Sequence, residues 1–582
     1  MSLSFFARPS ASSAVTNAGN WSTYMHDTSR SANNSDESLL SVVDAPALAI
    51  SWSFPTGDFV AASPTVVDGV VYVGSWDGFM YAIDAQTGVQ KWKKFLGQTT
   101  PNCAGPTGIT SSATVQNGVV YVGGGDANWY ALDATNGTIL WHVFTGDNNG
   151  VTGGHYNWSS PLVYGGFAYI GVASFCDSPL VQGQLLQVSL ATHLVVHTFN
   201  VVPNGAVGGG VWGSPSVDPA TNRVFVTTGN EDPACTLPCP SQPYARTIVA
   251  LDATDLTVKD YWQVPVATPG LDYDWSTTPV LFTNSSAQPM ITATNKDGLV
   301  YAFNRNNLAA GPVWSKLIAR PGPDPESGDA SASSAAFDGT RLYVAGNVTT
   351  IGGISYNGSV RALNTDTGAV VWEHPTGGSV LPALSYANGL VIDGAGDTVE
   401  ALNAATGAVV FSHTTGGPIF SPAAISRGTI FVGSGDQALY AFRSTSAPAD
   451  SDLDGVQDVT DNCPLVSNPA QLNTDAANAA NNRAGSDALG DACDPDISGD
   501  GYTNAQKMAA GKSLLLYCDI RRADVDGDGA VSILDLTKVA QYFTQAVPPA
   551  PERMNQDATP SISILDLTKM AHVFTQNVSA CP

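Results

Sequence analysis

GVVYVGSWDGFMYAIDAQTGVQKW, residues 69–92, is answered by GVVYVGGGDANWYALDATNGTILW, residues 118–141, and internal repetition on this scale is the mark of a solenoid or a ring of blades. Each copy reads as a short apolar strand ending in Gly, an alternating strand ending in Asp, a tight turn through Thr-Gly or Asn-Gly, and a strand that ends in Trp. A Ser/Thr/Pro stretch before the first apolar strand supplies a fourth, innermost strand.

Weaker copies follow towards the C-terminus. They run through RVFVTTGN (223–230) to Trp262, ITATNKDGLVYAFNR (291–305) to Trp314, and RLYVAGN (341–347) to Trp372. The copy at 389–411 ends in Phe411 in place of Trp, and the last, GTIFVGSGDQALYAF (428–442), stops after three strands. LLQVSLATHLVVH (185–197) is the most degenerate. The missing outer strand of the last copy is supplied by ALAISWSF (47–54), which precedes the first. The expected fold is therefore mainly β: an eight-bladed β-propeller from Ala45 to Arg443, closed by an N-terminal strand so that no sheet edge is left open. The repeated Trp residues are read as structural.

A formal charge of −26 would repel a polyanion, which argues against nucleic-acid partners. The even set of 8 cysteines fits disulfides in an exported chain, with Cys235–Cys239 and Cys103–Cys176 as expected pairs. No apolar run is long enough for a membrane span. MSLSFFARPS lacks a signal-peptide core, so the export signal is expected outside this sequence and the protein outside the cell or on its surface.

The phrase AxDxxTGxxxW resembles the pyrroloquinoline-quinone (PQQ) repeat propellers, and WSTYMHDTSRSAN at Trp21 looks like their lead-in. Residues 208–233, GGGVWGSPSVDPATNRVFVTTGNEDP, resemble the segment of quinoprotein alcohol dehydrogenases that carries a cofactor-stacking Trp and a calcium-binding Asn, which implies those roles for Trp212 and Asn230. NKDGLVYAFNR implies a quinone-contacting base at Lys296, and LDYDWSTTPVLF (271–282) places Asp272 and Asp274 in the acidic stretch before a central strand. A flat aromatic floor and a calcium ion acting as Lewis acid suit a planar quinone. Trp158, Trp212 and Trp275 each precede an inner strand of successive blades and are expected to form an aromatic pocket.

The chain also departs from that family, and looks closer to polyvinyl alcohol dehydrogenase and its relatives. An adjacent cysteine pair, a blade-three glutamate ligand and a CxxCH haem motif are absent, and Pro240-Ser241-Gln242-Pro243 stands where the family has its basic Asp. Glu231 or Asp232, or Asp274, would have to take the proton. Two readings follow: a PQQ-dependent dehydrogenase of alcohols or polyols, or a non-catalytic propeller that binds a carbohydrate or protein partner.

After a linker at 444–449 the composition turns acidic and Asn-rich. DSDLDGVQDVTDNCPLVSNPAQLNTD (450–475) resembles a thrombospondin type 3 repeat, with Asp450, Asp452, Asp454, Asp458 and Asp461 offering hard oxygens to calcium. The resemblance implies a Cys463–Cys493 disulfide and a calcium-binding region over 450–512. DISGDGYTNAQK (496–507) supplies Asp496 and Asp500 but ends in Lys507 where a bidentate acid is wanted, so weak binding or none is expected there.

The segment 513–582 contains two related stretches resembling a type I dockerin. In the first, Asp524, Asp526, Asp528, Ser532 and Asp535 fill EF-hand-like loop positions. In the second, Asn555, Asp557, Thr559, Ser563 and Asp566 fill the same places, with Pro560 where a turn glycine belongs. The resemblance implies a small helical domain clasped by Cys518 and Cys581, a cohesin-like or surface-scaffold partner, and a setting in extracellular polysaccharide breakdown. Ile533 and Leu534, like Ile564 and Leu565, sit where dockerins choose partners, or else pack within the tail.

Overall fold

In blade one, strands Thr65–Val67, Val70–Gly74, Phe79–Asp84 and Gln90–Phe95 pair antiparallel in sequence order, and the same plan recurs around a ring of eight four-stranded blades. The computed structural model describes residues 19–100, 105–149, 153–177, 179–235, 239, 241–265 and 272–445. Beyond these it describes 454, 456–457, 460–464, 466–477, 487–500, 503–510, 512–515, 525, 531–544 and 546. The chain divides into two compact units, Met1–Ala447 and Pro448–Pro582.

The repeated phrase has a direct mechanical meaning. Asp84 Oδ1 accepts from the backbone of Gln86 and Thr87 and from the Thr87 hydroxyl, which bends the chain into the Thr-Gly turn. Gly88 then lies at φ +70, and a Cβ there would meet the Trp52 indole at 2.8 Å. Trp52 belongs to the neighbouring blade and donates its Nε1–H to Ala85 O at 3.1 Å. Trp92 repeats this on Ala134, Trp314 on Thr365 and Trp372 on Ala404. These four Trp residues rivet their blades to the turn of the next, and Trp141 does so by stacking on His193, so the repeat encodes the joint between blades as well as the blade itself.

Ring closure follows the expected route. Leu48–Pro55 pairs antiparallel with Ala438–Ser444, from Leu48↔Ser444 to Pro55↔Ala438. Nearer the axis, the backbone N–H at the start of an innermost strand donates to a hydroxyl of the next blade. Ser63 is held by Ser112, Ser112 by Ser160, Ser160 by Ser214, Ser214 by Thr278 and Thr278 by Ser334. These polar links form a belt through blades one to six.

The lead-in at residues 19–44 is an axle. It bridges Trp21 to Val66, bonds through Ser22 O to Val115, through Thr28 O to Val217, through Ser29 O to Leu281 and through Ser31 O to Phe337, and adds Asn33–Asn34 as a parallel strand on blade seven. At its centre Arg30 is fully buried, donating to Pro215 O, Pro161 O, Tyr24 O and Thr23 Oγ1. Blade six carries a hairpin, Thr349–Ile351 with Ile354–Tyr356, that the repeat pattern does not announce. Cys235–Cys239 and Cys463–Cys493 are bonded, as expected, and Cys176 is also in a disulfide. Cys103, Cys518 and Cys581 lie outside the described residues.

One core residue breaks the apolar pattern. Asp393, in strand Leu390–Ala395, is 3% exposed with both carboxylate oxygens lacking a hydrogen-bond partner, opposite Glu400. Burial, reinforced by the Glu400 charge, raises its pKa well above the ordinary value. A carboxyl raised in the fold contributes fully at acid pH and loses that contribution as pH rises, because only the unfolded chain ionises freely. Asp393→Val is therefore expected to stabilise the propeller by about 1–3 kcal/mol at neutral pH, with the gap from wild type widening as pH rises. Denaturant unfolding at several pH values checks this; a pH-independent gap would contradict it.

Candidate functional site

The ends of the second strands and the segments entering the first strands meet at one end of the ring axis, where they enclose a cavity of about 900 Å³. Trp158, Trp212, Asn230, Asp274 and Lys296 all line it, together with Asp177, Trp76, Phe420 and Tyr24. Residues from blades three, four and five thus converge although they are far apart in the chain.

Their arrangement is polar and tight. Lys296 Nζ lies 3.0 Å from Asp272 Oδ2 and 3.3 Å from Asp274 Oδ2, and 5.8 Å from the centre of the Trp212 ring. Asn230 Nδ2 donates to Asp272 Oδ1 at 2.7 Å, and the Asp274 amide donates to the same oxygen at 2.8 Å. Behind them the buried Asn295 holds Tyr273 O, which fixes the acidic loop to the strand that delivers Lys296.

Burial pushes Asp274 up to about 6; Lys296 opposes the shift, while Asp272 and Asp177 add to it. Asp177 is raised by burial, against the pull of Lys296 and with the help of Asp272. Burial would lower the Lys296 ammonium, but Asp274 and Asp272 outweigh it and hold its pKa above the ordinary value. Three carboxyls share one ammonium, and Asp274 Oδ1 is buried with no hydrogen-bond partner. A site with excess negative charge and an orphaned acid oxygen fits a bound divalent cation, with Asp177, the Asn230 carbonyl and Asp274 Oδ1 as its available oxygens, Asp272 being taken up by Asn230, the Asp274 amide and Lys296.

One expected member lies outside the cavity, and another lines it but is already engaged. Trp275 is 1% exposed and packs against Trp262, Tyr301 and Phe303 between blades four and five, as core. Its position before a strand matches Trp212, but its side chain turns into the blade interface. Glu231 is occupied: Arg246 grips it through Nε at 2.6 Å and Nη2 at 2.6 Å, both side chains being 4% exposed. With both Glu231 oxygens held by Arg246, Asp274 is left as the base candidate. Asp232 caps its own loop, accepting from Ala234 N, and the buried Gln242 accepts from Asp232 N.

Asp177 is a lining residue that the sequence motifs do not single out, although it occupies in blade three the place after the second strand that Asn230 holds in blade four and Lys296 in blade five. Aligning FCDSP (175–179) with TGNED (228–232) on their strand ends would have found it.

In the C-terminal unit, Asp475, Asp487 and Asp494 bring carboxylate oxygens within 4.8 Å of one another, a group able to hold a metal ion. Burial first, then the charges of Asp487, Asp494 and Asp496, push Asp475 up to about 6, against a backbone hydrogen bond from Asp487. The sequence motifs do not single out these three as ligands, because they belong to no single short motif. Asp454 accepts from Val456 N and Asn468 N, and Asp461 from Cys463 N and Gln471 Nε2. Asp496 and Asp500 face Lys507. Ser532 and Asp535 form a capping box on the helix Ile533–Ala540. Asp450, Asp452, Asp458, Asp524, Asp526, Asp528, Asn555, Asp557, Thr559, Ser563 and Asp566 lie outside the described residues.

Comparison with known families gives three matches. Residues 12–174 and 356–449 match the PQQ-type repeat family described as outer membrane protein assembly factor BamB. Residues 202–316 match the glucose/ethanol/alcohol dehydrogenase β-propeller domain, and residues 448–471 and 484–506 the thrombospondin type 3 repeat. The chain is a PQQ-repeat propeller followed by thrombospondin type 3 repeats. None of the curated proteins matches it.

Among solved structures, this PQQ-repeat propeller is similar to a europium-containing methanol dehydrogenase, at 18% identity and TM-score 0.61, covering 73% of this chain and 98% of that one. It is similar also to quinohemoprotein alcohol dehydrogenases from Comamonas testosteroni (18% identity, TM-score 0.60, covering 74% and 82% of the two chains) and Pseudomonas putida HK5 (17%, 0.60, 74% and 81%). At such identities the likeness is one of fold. The thrombospondin type 3 repeats imply calcium binding, and with the disulfides they fit an extracellular protein. Among the described residues no helix is long and apolar enough to cross a membrane.

Proposed function

We propose that the propeller is a quinone-dependent dehydrogenase of alcohols or polyols that uses calcium at the same site. The observation that carries this reading is the convergence of Trp212, Lys296, Asn230 and Asp274 on one cavity, with Asp274 Oδ1 left unpartnered. PQQ, when bound, supplies a two-electron acceptor, and calcium would polarise its reactive carbonyl. The chain's own part is to orient and to move a proton. Trp212 offers a flat face, with Lys296 poised near its ring to meet carbonyl or carboxylate oxygens. Asp177, the Asn230 carbonyl and the unpartnered Asp274 Oδ1 would offer oxygens to the cation, while Asp272 holds Lys296 and Asn230 in place. Asp274, buried and raised towards neutrality, would take the hydroxyl proton of a substrate.

The test is titration of calcium-loaded protein with PQQ, followed by tryptophan quenching, beside dye reduction on alcohols. Saturable binding that weakens at least about tenfold in Trp212→Ala is expected, since losing a stacked ring removes on the order of 1.5 kcal/mol or more. Lys296→Ala should lower dye reduction as well as binding. No binding at tens of micromolar would leave the alternative, a propeller that binds a partner without chemistry.

We propose further that the C-terminal repeats anchor the protein through a dockerin-like contact. Ile533 and Leu534, 65% and 58% exposed on the helix Ile533–Ala540, support this reading.

A further inference from the structure

The loop Asp496–Asp500 lies immediately before the helix Asn504–Ala509. Asp500 is 0% exposed and Asp496 is half-buried. Ionised carboxylates are not buried without a counter-charge, and an acidic loop of this composition ordinarily finds it in a metal ion. Here the counter-charge is in the chain. Lys507 is 0% exposed, and its Nζ lies 3.1 Å from Asp500 Oδ2 and 3.8 Å from Asp496 Oδ1. The same ammonium donates to Ser498 Oγ and, at 3.4 Å, to Leu514 O.

We propose that the Lys507 ammonium is the resident cation of this loop, a covalently tethered substitute for a calcium ion. The ammonium has three donors and no acceptor, and it is surrounded by carboxylate, hydroxyl and carbonyl oxygens, the ligand types a calcium ion collects. The side chain is delivered by a well-defined start to the helix. Thr503 Oγ1 accepts from Gln506 N, and Gln506 Oε1 accepts from Thr503 N at 2.9 Å, so that Lys507, one turn in, returns over the loop. Asn504 staples helix to loop again, donating to Asp494 O at 2.7 Å and accepting from Ile497 N at 3.3 Å. A calcium ion entering here would have to expel a buried positive charge from its own ligands. Among the described residues no lysine forms an ion pair with the neighbouring group of Asp475, Asp487 and Asp494, where burial, then the charges of Asp487, Asp494 and Asp496, raise Asp475. Two adjacent acidic sites are thus of opposite kinds: one takes its cation from solution, the other from residue 507.

The proposal predicts ion counts. Native mass spectrometry and calorimetry on the full chain should give the same number of bound calcium ions for wild type and for Asp500→Asn, because Asp500 serves the lysine and not a metal. Lys507→Glu, which removes the ammonium and adds an acid, should bind one ion more than wild type. A drop of one ion in Asp500→Asn overturns the proposal, since the loop would then already hold calcium. So does an unchanged count in a folded Lys507→Glu protein whose Cys463–Cys493 disulfide is intact. The Asp500→Asn comparison decides the matter even if Lys507→Glu fails to fold.

Discussion

Arg30→Ala is expected to destabilise the propeller by about 3–5 kcal/mol, seen as a lower denaturant midpoint at unchanged slope. The guanidinium sits at the crossing of the axle with blades three and four. It bonds Pro161 O, Pro215 O, Tyr24 O and the Thr23 hydroxyl at once, all on buried or part-buried atoms. Charge-assisted bonds of this kind contribute roughly 1.5–3 kcal/mol each, and truncation leaves their acceptors buried without a donor. Burial draws the Arg30 pKa down to about 10, with Tyr24 and Asp27 opposing, so the group stays charged at neutral pH. Arg30→Lys should not rescue, because a single ammonium cannot present a planar fork to carbonyls on two blades and the axle together. Arg320→Ala is the control: its partner is Asp329, its side chain is 57% exposed, and its loss should change stability by no more than about 0.5 kcal/mol. An Arg30→Ala protein within about 1 kcal/mol of wild type would show that the axle contributes little to the fold.

Chelation of calcium should have the second large effect, confined to the C-terminal unit. Among the described residues of that unit the buried apolar side chains are Cys463, Val525, Val531 and Val539, whereas Asp454, Asp461, Asp475, Asp494 and Asp500 are all buried acids. With so little apolar burial, order depends on cations and on the Cys463–Cys493 disulfide, whose closure of 30 residues stabilises by roughly 3–4 kcal/mol in the chain-entropy model. Each ion bound at a hundredfold excess over its dissociation constant adds about 2.7 kcal/mol. Two thermal transitions are expected in calcium. In excess chelator the tail transition should vanish and the tail become protease-sensitive, while the propeller transition stays in place. A tail equally resistant with and without calcium would refute this dependence.

The ring was legible from the sequence because its joints are encoded in the repeat: the Asp-capped turn, its glycine and the Trp that covers the glycine all fall inside one phrase. The closing strand at Leu48–Pro55 was legible because the last copy lacked a partner. What the repeat does not encode was harder to read. The axle has no periodicity, since each of its residues answers a different blade, so the role of Arg30 is invisible until the ring is built. Within the site, Trp212, Asn230, Asp274 and Lys296 were legible at strand ends, whereas Trp275 shows that a shared place before a strand does not fix which way a ring turns. Asp177 was hidden because blade three is the degenerate copy. Glu231 looked available only because Arg246, its partner, stands on the far side of a loop.

The way the circle is sealed also sets a schedule for biosynthesis. Leu48–Pro55 emerges early, yet its partner strand is among the last of the propeller to be made: Thr445 bonds Ala47 across 398 residues, and Asn34 reaches Ile425 across 391. At typical ribosomal speeds of about 5–20 residues per second the first strand waits roughly 20–80 s for its mate. Throughout that interval it presents an open edge to any other nascent chain, and the axle has nothing to turn on. Blades one to seven can form in order as they are synthesised, but the closed circle is a late event in which both ends of the propeller sequence must be present together.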